Sequence, residues 1–359
     1  MKSGAIFEEL LDDIRSGRYS AGGKLPSEAV LCRRFAVARG TVRAVLALLR
    51  RDGLIETRDG SGSFLTRLAE RRTGLIGLLI PDYGRFAFFE QVRRHIEARA
   101  RKMRFRVCLE VGAKTEPAKI ADEMLAKARQ LVADRAEGVL FRPMLVPRGD
   151  AANVRIARIF QEAGVPLVLL DQDIVQPPGR SEFDLVAVNN VNAGRRIATH
   201  LLARGYRRIA FLMGRDAAAA QNANWDNRLF GLGGELTLRG MQEAVRILRF
   251  APGNAAALRR AMRAPSPPDA IVCGNDESAV ALLATLRRIG LSVPGDVAVV
   301  GFDDLECARS ASPAITTIRQ PAELIAATVF KTLLARIRYP GTDPRETYLP
   351  APLVIRKST

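Results

Sequence analysis

From residue 75 onward, short runs of consecutive apolar residues, rich in Leu, Ile and Val, alternate with longer stretches whose apolar residues recur every three or four positions. The runs are 75–80, 105–111, 138–141, 166–170, 209–213, 270–273 and 297–300; the amphipathic stretches are 88–102, 117–133, 153–163, 192–204, 276–289 and 321–338. A strand that is apolar at every position has both faces buried, and a helix between two such strands is the crossover that keeps them parallel. The alternation therefore restricts this region to the α/β class, with a parallel sheet covered by helices on both sides. One such sheet does not use all of residues 74–359. The economical expectation is two doubly wound parallel-sheet subdomains with a ligand cleft between them.

The first 66 residues follow another pattern. Ile6, Leu10, Leu11 and Ile14 share one helical face, and that run ends at Ser16-Gly17. Ser27 stands where an N-cap belongs, with Glu28 in the first turn and Val30, Leu31 and Phe35 on the apolar face of a short second helix. The turn Ala36-Val37-Ala38 leads to a third helix over 39–52, with Val42, Val45, Leu46 and Leu49 inward and Gly53 at its stop. Two short helices around a tight turn fit a helix-turn-helix. Residues 54–66 read as a β-hairpin, a wing whose tip Arg58-Asp59-Gly60-Ser61-Gly62-Ser63 is small enough to approach a phosphate or the minor groove. The predicted organisation is a winged helix (α+β) at 1–66, a polar linker at 67–73 and the α/β module at 74–359. A net charge of +17, mostly from Arg, is consistent with a polyanionic partner, though charge alone carries no sequence specificity.

The segments 24–28 (KLPSE), 35–43 (FAVARGTVR), 52–55 (DGLI) and 60–64 (GSGSF) resemble the GntR family of winged-helix regulators in order and spacing. The resemblance implies double-stranded operator DNA as a partner. It places Arg39, Thr41 and Arg43 toward the major groove and flanking phosphates, with Gly60 and Gly62 at the wing; Ser27, Arg58 and Ser61 complete the expected DNA-facing set. The chain departs from the family's usual residues at Ala29, Ala38 and Gly40.

In the α/β region, polar residues stand at the ends of apolar runs: Asp171, the pair Asn275-Asp276, and Asp303-Asp304. Ligands of open α/β sheets bind beyond the carboxyl ends of the strands, so a site is expected there. Asp and Asn offer planar acceptors and donors that bridge neighbouring hydroxyls, and Arg228 adds a five-donor fork, a set suited to a sugar or similar polyol. Asp276 reads better as a cap of the helix that follows it. Trp225, the only Trp, falls in a polar stretch read as a loop, where it would either stack on a sugar face or pack in a core. Arg142 fits either a recogniser of an anionic ligand group or an exposed loop arginine.

The segments 188–194 (VNNVNAG), 200–211 (HLLARGYRRIAF), 228–231 (RLFG), 275–279 (NDESA), 293–304 (VPGDVAVVGFDD) and 316–321 (TTIRQP) resemble the effector domain of the LacI/galactose-repressor family, related to periplasmic sugar-binding proteins. The resemblance implies that Asp171, Arg228, Asn275 and Asp303 contact a small sugar-like effector. Gln320 and the loop 83–89, including Tyr83 and Phe88, would line the same cleft. It also implies a homodimer joined through this module. The pairing of modules is similar in design to the arabinose repressors, and implies a sequence-specific repressor.

Other function classes find little support. Cys32, Cys108, Cys273 and Cys307 lie far apart with no Cys-x-x-Cys pair, and His95 and His200 are the only histidines. The expectation is reduced thiols, no metal, no cofactor and no catalytic residues. No run of 18 apolar residues occurs and the start of the chain lacks the apolar stretch of an export signal, so the expected setting is cytoplasmic, without a membrane partner. A transport-type sugar-binding protein would have no use for residues 1–66, and a sugar kinase or isomerase would need a phosphate-binding Gly loop or a metal cluster.

Overall fold

The computed structural model describes residues 2–15, 18–19, 22–51, 53–58, 60–66, 73–81, 87–103, 105–109, 117–145, 149–175, 178–213, 223–241 and 245–359. The expected linker, apart from residue 73, and Tyr83 lie outside the described residues.

The N-terminal body comprises α1 (Lys2–Arg15), α2 (Glu28–Phe35), α3 (Arg39–Arg51) and the antiparallel pair β1 (Ile55–Arg58) and β2 (Gly62–Leu65), with Ile55 opposite Leu65. Its core is the helical stripe read from the sequence: Leu10, Leu31, Val45, Leu49 and Leu54 are fully buried. Ala36, in the left-handed conformation, makes the sharp turn from α2 into α3.

The larger region begins with β3 (Leu75–Leu79), α4 (Ala87–Lys102), β4 (Arg106–Leu109), α5 (Pro117–Ala133), β5 (Gly138–Phe141), α6 (Gly149–Glu162), β6 (Leu167–Leu170) and β7 (Asp184–Val188). It continues through α7 (Asn190–Ala203), β8 (Ile209–Met213), α8 (Ala223–Leu238), β9 (Arg246–Arg249), α9 (Ala255–Met262), β10 (Ala270–Cys273), α10 (Asp276–Arg288), β11 (Ala298–Asp303), α11 (Glu306–Ser310) and β12 (Thr316–Arg319). The last elements are α12 (Ala322–Arg338), β13 (Glu346–Leu349) and β14 (Leu353–Val354).

Two six-stranded sheets result, ordered β4-β3-β5-β6-β7-β13 and β9-β8-β10-β11-β12-β14. Every neighbouring pair is parallel except β12 with β14. The two orders are equivalent: in each, the chain starts inside the sheet, steps outward once, then returns and proceeds the other way. Each sheet therefore has one switch point, after β3 and β5 in the first and after β8 and β10 in the second, where the connections diverge and leave a crevice at the strand ends. The chain passes between the halves three times, after β7, after β12 and after β13.

The structure corrects several details of the sequence reading. Trp225 lies on helix α8, one turn before Arg228, not in a loop. Strands β7, β9, β12, β13 and β14, and helices α9 and α11, are additional elements. Asn275, not Asp276, caps α10: its side chain accepts from the Ser278 N–H at 2.9 Å. Asp276 is fully buried instead, accepting from the Thr317 hydroxyl at 2.6 Å and the Leu305 N–H at 2.7 Å. Among the described residues no helix is long and apolar enough to cross a membrane.

Candidate functional sites

The first site is built by α2, α3 and the hairpin. Ser27 is the N-cap of α2, its hydroxyl accepting from the Val30 N–H at 3.4 Å. Arg39 and Arg43 lie one turn apart on the exposed start of α3, and both donate through Nε to the Glu28 carboxylate, at 2.8 and 3.1 Å. Partial loss of water raises the Glu28 pKa, but the hydrogen bonds and charges of the two arginines outweigh this and lower it. Glu28 thus fixes one edge of each guanidinium, and among the described residues the terminal amino groups of both keep their donors. Thr41, half-buried, sits between them in the first turn. At the wing, Gly60 and Gly62 take φ of +69° and +105°, and the Ser61 N–H closes the turn on the Arg58 carbonyl at 2.9 Å. Those φ values are open to glycine at little steric cost. Arg58 is less free: it pairs with Glu56 at 2.7 Å and lies 4.4 Å over the Phe64 ring. Ser27, Arg39, Thr41, Arg43, Gly60, Ser61 and Gly62 thus gather at the start of the helix pair and on the hairpin tip.

The second site lies where the strand ends of the two sheets meet. A chain of side-chain hydrogen bonds crosses between the halves. Arg142, buried after β5, donates to Asp171 at 3.3 Å and stacks 4.0 Å over Phe89. Asp171 follows β6 with φ of +77° and accepts from Asn224 at 2.9 Å. Asn224 accepts from Asn190 at 3.0 Å, and Asn190 accepts from Arg228 Nε at 2.8 Å. Arg228 also donates to the Gly274 carbonyl at 2.6 Å, its guanidinium 3.4 Å over the Phe302 ring. Arg142 is thus buried in this network, so the expected alternative of an exposed loop arginine does not hold.

Asp303 ends β11 with φ of +118° and accepts from Gln320 at 2.6 Å. No direct ion pair joins it to Arg228. Burial pushes its carboxyl up to about 8, against the pull of the Arg228 charge and with the Asp276 charge adding to the rise. Burial likewise draws the Arg228 guanidinium down to about 10, opposed by Asp303, Asp171 and Asp276. A buried cation and a half-buried carboxyl with a raised pKa, close enough to feel each other's charge but making no direct ion pair, are costly to maintain. Together they offer donors and an acceptor to a polar guest.

Of the remaining expected residues, Trp225 and Asn275 adjoin Gly274, the carbonyl partner of Arg228, whereas Phe88 is a core residue. Trp225 is half-buried on α8 with its ring against Gly274, where any side chain would collide with it. Asn275 caps α10 immediately after Gly274. Phe88 is buried in the core edge-on to Phe89, with ring centroids 5.1 Å apart. Across the mouth, the Glu277 carboxylate of one half accepts from the Ala87 N–H at the start of α4 in the other. Asn190 and Asn224 were not among the expected site residues; the spacing of Asn224 and Arg228, four residues apart on one helix face, is the signal that points to Asn224. Among the described residues no cluster could hold a metal ion.

Residues 2–65 match the family described as bacterial regulatory proteins, gntR family, and residues 198–359 match the periplasmic binding protein-like domain. An arabinose metabolism transcriptional repressor of Geobacillus stearothermophilus is 26% identical over 372 residues, covering 98% of this chain and 96% of that protein. An HTH-type transcriptional regulator of Streptomyces limosus is 30% identical over 302 residues, covering 82% of this chain and 81% of the relative. Among solved structures, a transcriptional regulator CelR–cellobiose complex aligns with a TM-score of 0.66 at 25% identity, covering 93% of this chain and 100% of that one.

Proposed function

The chain belongs to the helix-turn-helix transcription regulators, with a gntR-family DNA-binding domain joined to a periplasmic-binding-protein-like domain, and we propose that it is a repressor whose operator affinity is set by a sugar-like effector in the cleft. The observation that carries the effector half is the unneutralised juxtaposition of Arg228 and Asp303 at the switch-point crevice. A polyhydroxylated guest bridges such a pair. It accepts from the guanidinium and donates to the carboxyl, while the Trp225 and Phe89 rings supply apolar faces. Two relatives, a repressor of arabinose metabolism and a regulator solved with cellobiose, support a saccharide.

The DNA half rests on α3 and the wing. Arg39 and Arg43 present free guanidinium edges for bases or phosphates, and the glycine-rich hairpin tip lets backbone approach the duplex. One winged helix reads few base pairs, so the proposal includes a homodimer on a two-fold symmetric operator. Light scattering of the full chain should give twice the monomer mass; the monomer mass would remove that part.

Calorimetric titration with L-arabinose and cellobiose tests the cleft. At least one should bind the wild type, and Arg228→Ala and Asp303→Ala should each weaken it by roughly 100-fold, or about 3 kcal/mol, as removal of one partner from a buried charged hydrogen bond commonly does. Operator binding by both variants should stay intact. Wild-type sugar affinity in both variants would refute the assignment.

A further inference from the structure

A second cavity, of about 440 Å³, is bordered by Asp171, Asn190 and Asn224 but not by Arg228, Phe302, Asp303 or Gln320. The hydrogen-bonded chain that walls the cleft is therefore also the wall of a separate space, of a size that holds small molecules in other proteins. Its other walls come from both halves: Gln172 and Arg180 from the segment after β6, Glu346 and Tyr348 from the edge strand β13, Asn189 at the first crossing, and Asn227 from α8.

The walls are polar and their charged groups are each engaged, with one net negative charge, that of Asp173, left when Arg142 is counted. Arg180 pairs with Glu346 at 3.3 Å. Asp173 accepts from the N–H groups of Val175 and Ser181, at 3.0 and 3.2 Å, and Asp171 is held by Arg142. Amides and a phenol ring remain. Gln172 is only 9% exposed, and its Oε1 has no hydrogen-bond partner among the described residues. A buried acceptor left unmade costs free energy. Because the side chain borders the cavity, rotation about its terminal torsion is the short route to a donor, and an occupant of the cavity can supply one.

We propose that this cavity is a second ligand site, for a small, neutral, hydroxyl-rich molecule of the polyol or saccharide class. The site is separate from the cleft and stands whichever ligand the cleft takes. Its hydroxyls would meet Gln172, Asn189 and Asn227, with the Tyr348 ring as an apolar platform. Because the occupant touches both halves and shares a wall with the cleft, its binding and that of the cleft ligand alter each other's affinity by the same factor.

The test uses the full-length protein with L-arabinose, D-ribose and cellobiose as probes. Trp225 is the only Trp and reports on the cleft; the double variant Trp225→Phe, Tyr348→Trp moves the reporter to the second cavity. At least one probe should change the emission of the double variant saturably. That response should persist when Arg228→Ala or Asp303→Ala is added, and should weaken at least roughly tenfold with Gln172→Leu. In the otherwise wild-type chain, Gln172→Leu should leave the Trp225 titration in place. Asn227→Leu, on a different element, repeats the test should Gln172→Leu not fold. No response to any probe up to about 50 mM, far above millimolar binding, means that the cavity holds solvent only and overturns the proposal. A response abolished by the cleft variants, or unchanged by both Gln172→Leu and Asn227→Leu, overturns it equally.

Discussion

The residues at the two sites share one device: charge held in place without being fully satisfied. Glu28 takes one edge of Arg39 and of Arg43, and the other edge is the one proposed to meet DNA. Arg39→Ala and Arg43→Ala should each cost on the order of 1–3 kcal/mol of operator affinity if they meet base edges, read by gel shift against random duplex, with steep salt dependence throughout. No change from either substitution would place the reading surface elsewhere. Asp303 carries a testable pH signature. Its folded-state pKa is about 8, above its value in the unfolded chain, so it contributes stability that is present at low pH and lost as pH rises toward 8. Asp276, pushed up to about 6, gives a loss of the same sign that is complete earlier. Between pH 6.5 and 8 the ligand-free protein should therefore lose thermal stability, and Asp303→Asn should flatten that decline. Parallel melting curves for variant and wild type across this window would contradict the raised pKa of Asp303.

At the scale of elements, the position of Arg228 depends on how closely α7 and α8 approach. A Cβ on Gly194 would run into the Arg228 carbonyl oxygen and the Leu232 nitrogen, and one on Gly231 into the Val191 carbonyl. The two helices thus cross backbone to backbone, with glycine required on each. Gly194→Ala should destabilise the protein by about 1–3 kcal/mol in a denaturant titration and weaken cleft binding, because the helices must separate and carry Arg228 with them. Unchanged stability and binding would mean that the contact is not close. Gly231 and two further glycines explain why α8 was not legible in the sequence. Gly231, Gly233 and Gly234 interrupt its apolar pattern and lower its helix propensity, so tertiary packing rather than local preference makes it helical. Strands β13 and β14 were hidden for another reason: each is short and joins a sheet whose other strands lie far away in sequence, which no local pattern reports. By contrast the strand-end residues Asp171 and Asp303 were readable, because continuous apolar runs mark their strands and the carboxyl ends follow directly. The amides that continue the network were less so: Asn224, which donates to Asp171, is signalled only by its spacing from Arg228, and Asn190, which joins Asn224 to Arg228, carries no pattern of its own.

At the scale of the whole molecule, two sheets of the same strand order are joined by three chain crossings beside a polar chain of side chains that reaches across both. A guest bound between Arg228 and Asp303 on one side and Asp171 and Phe89 on the other has contacts to gain from both halves. It therefore favours their closed arrangement over an open one, the hinge type of switching transition. In the proposed dimer that rearrangement changes the spacing or freedom of the two winged helices, and operator and effector then act on each other by one reciprocal factor. Operator titration of the full-length protein, with and without a saturating concentration of the sugar that occupies the cleft, tests this most directly. The account predicts operator binding weaker by roughly 10- to 100-fold with the sugar present, about 1–3 kcal/mol of coupling; equal operator affinities in its presence and absence would contradict it.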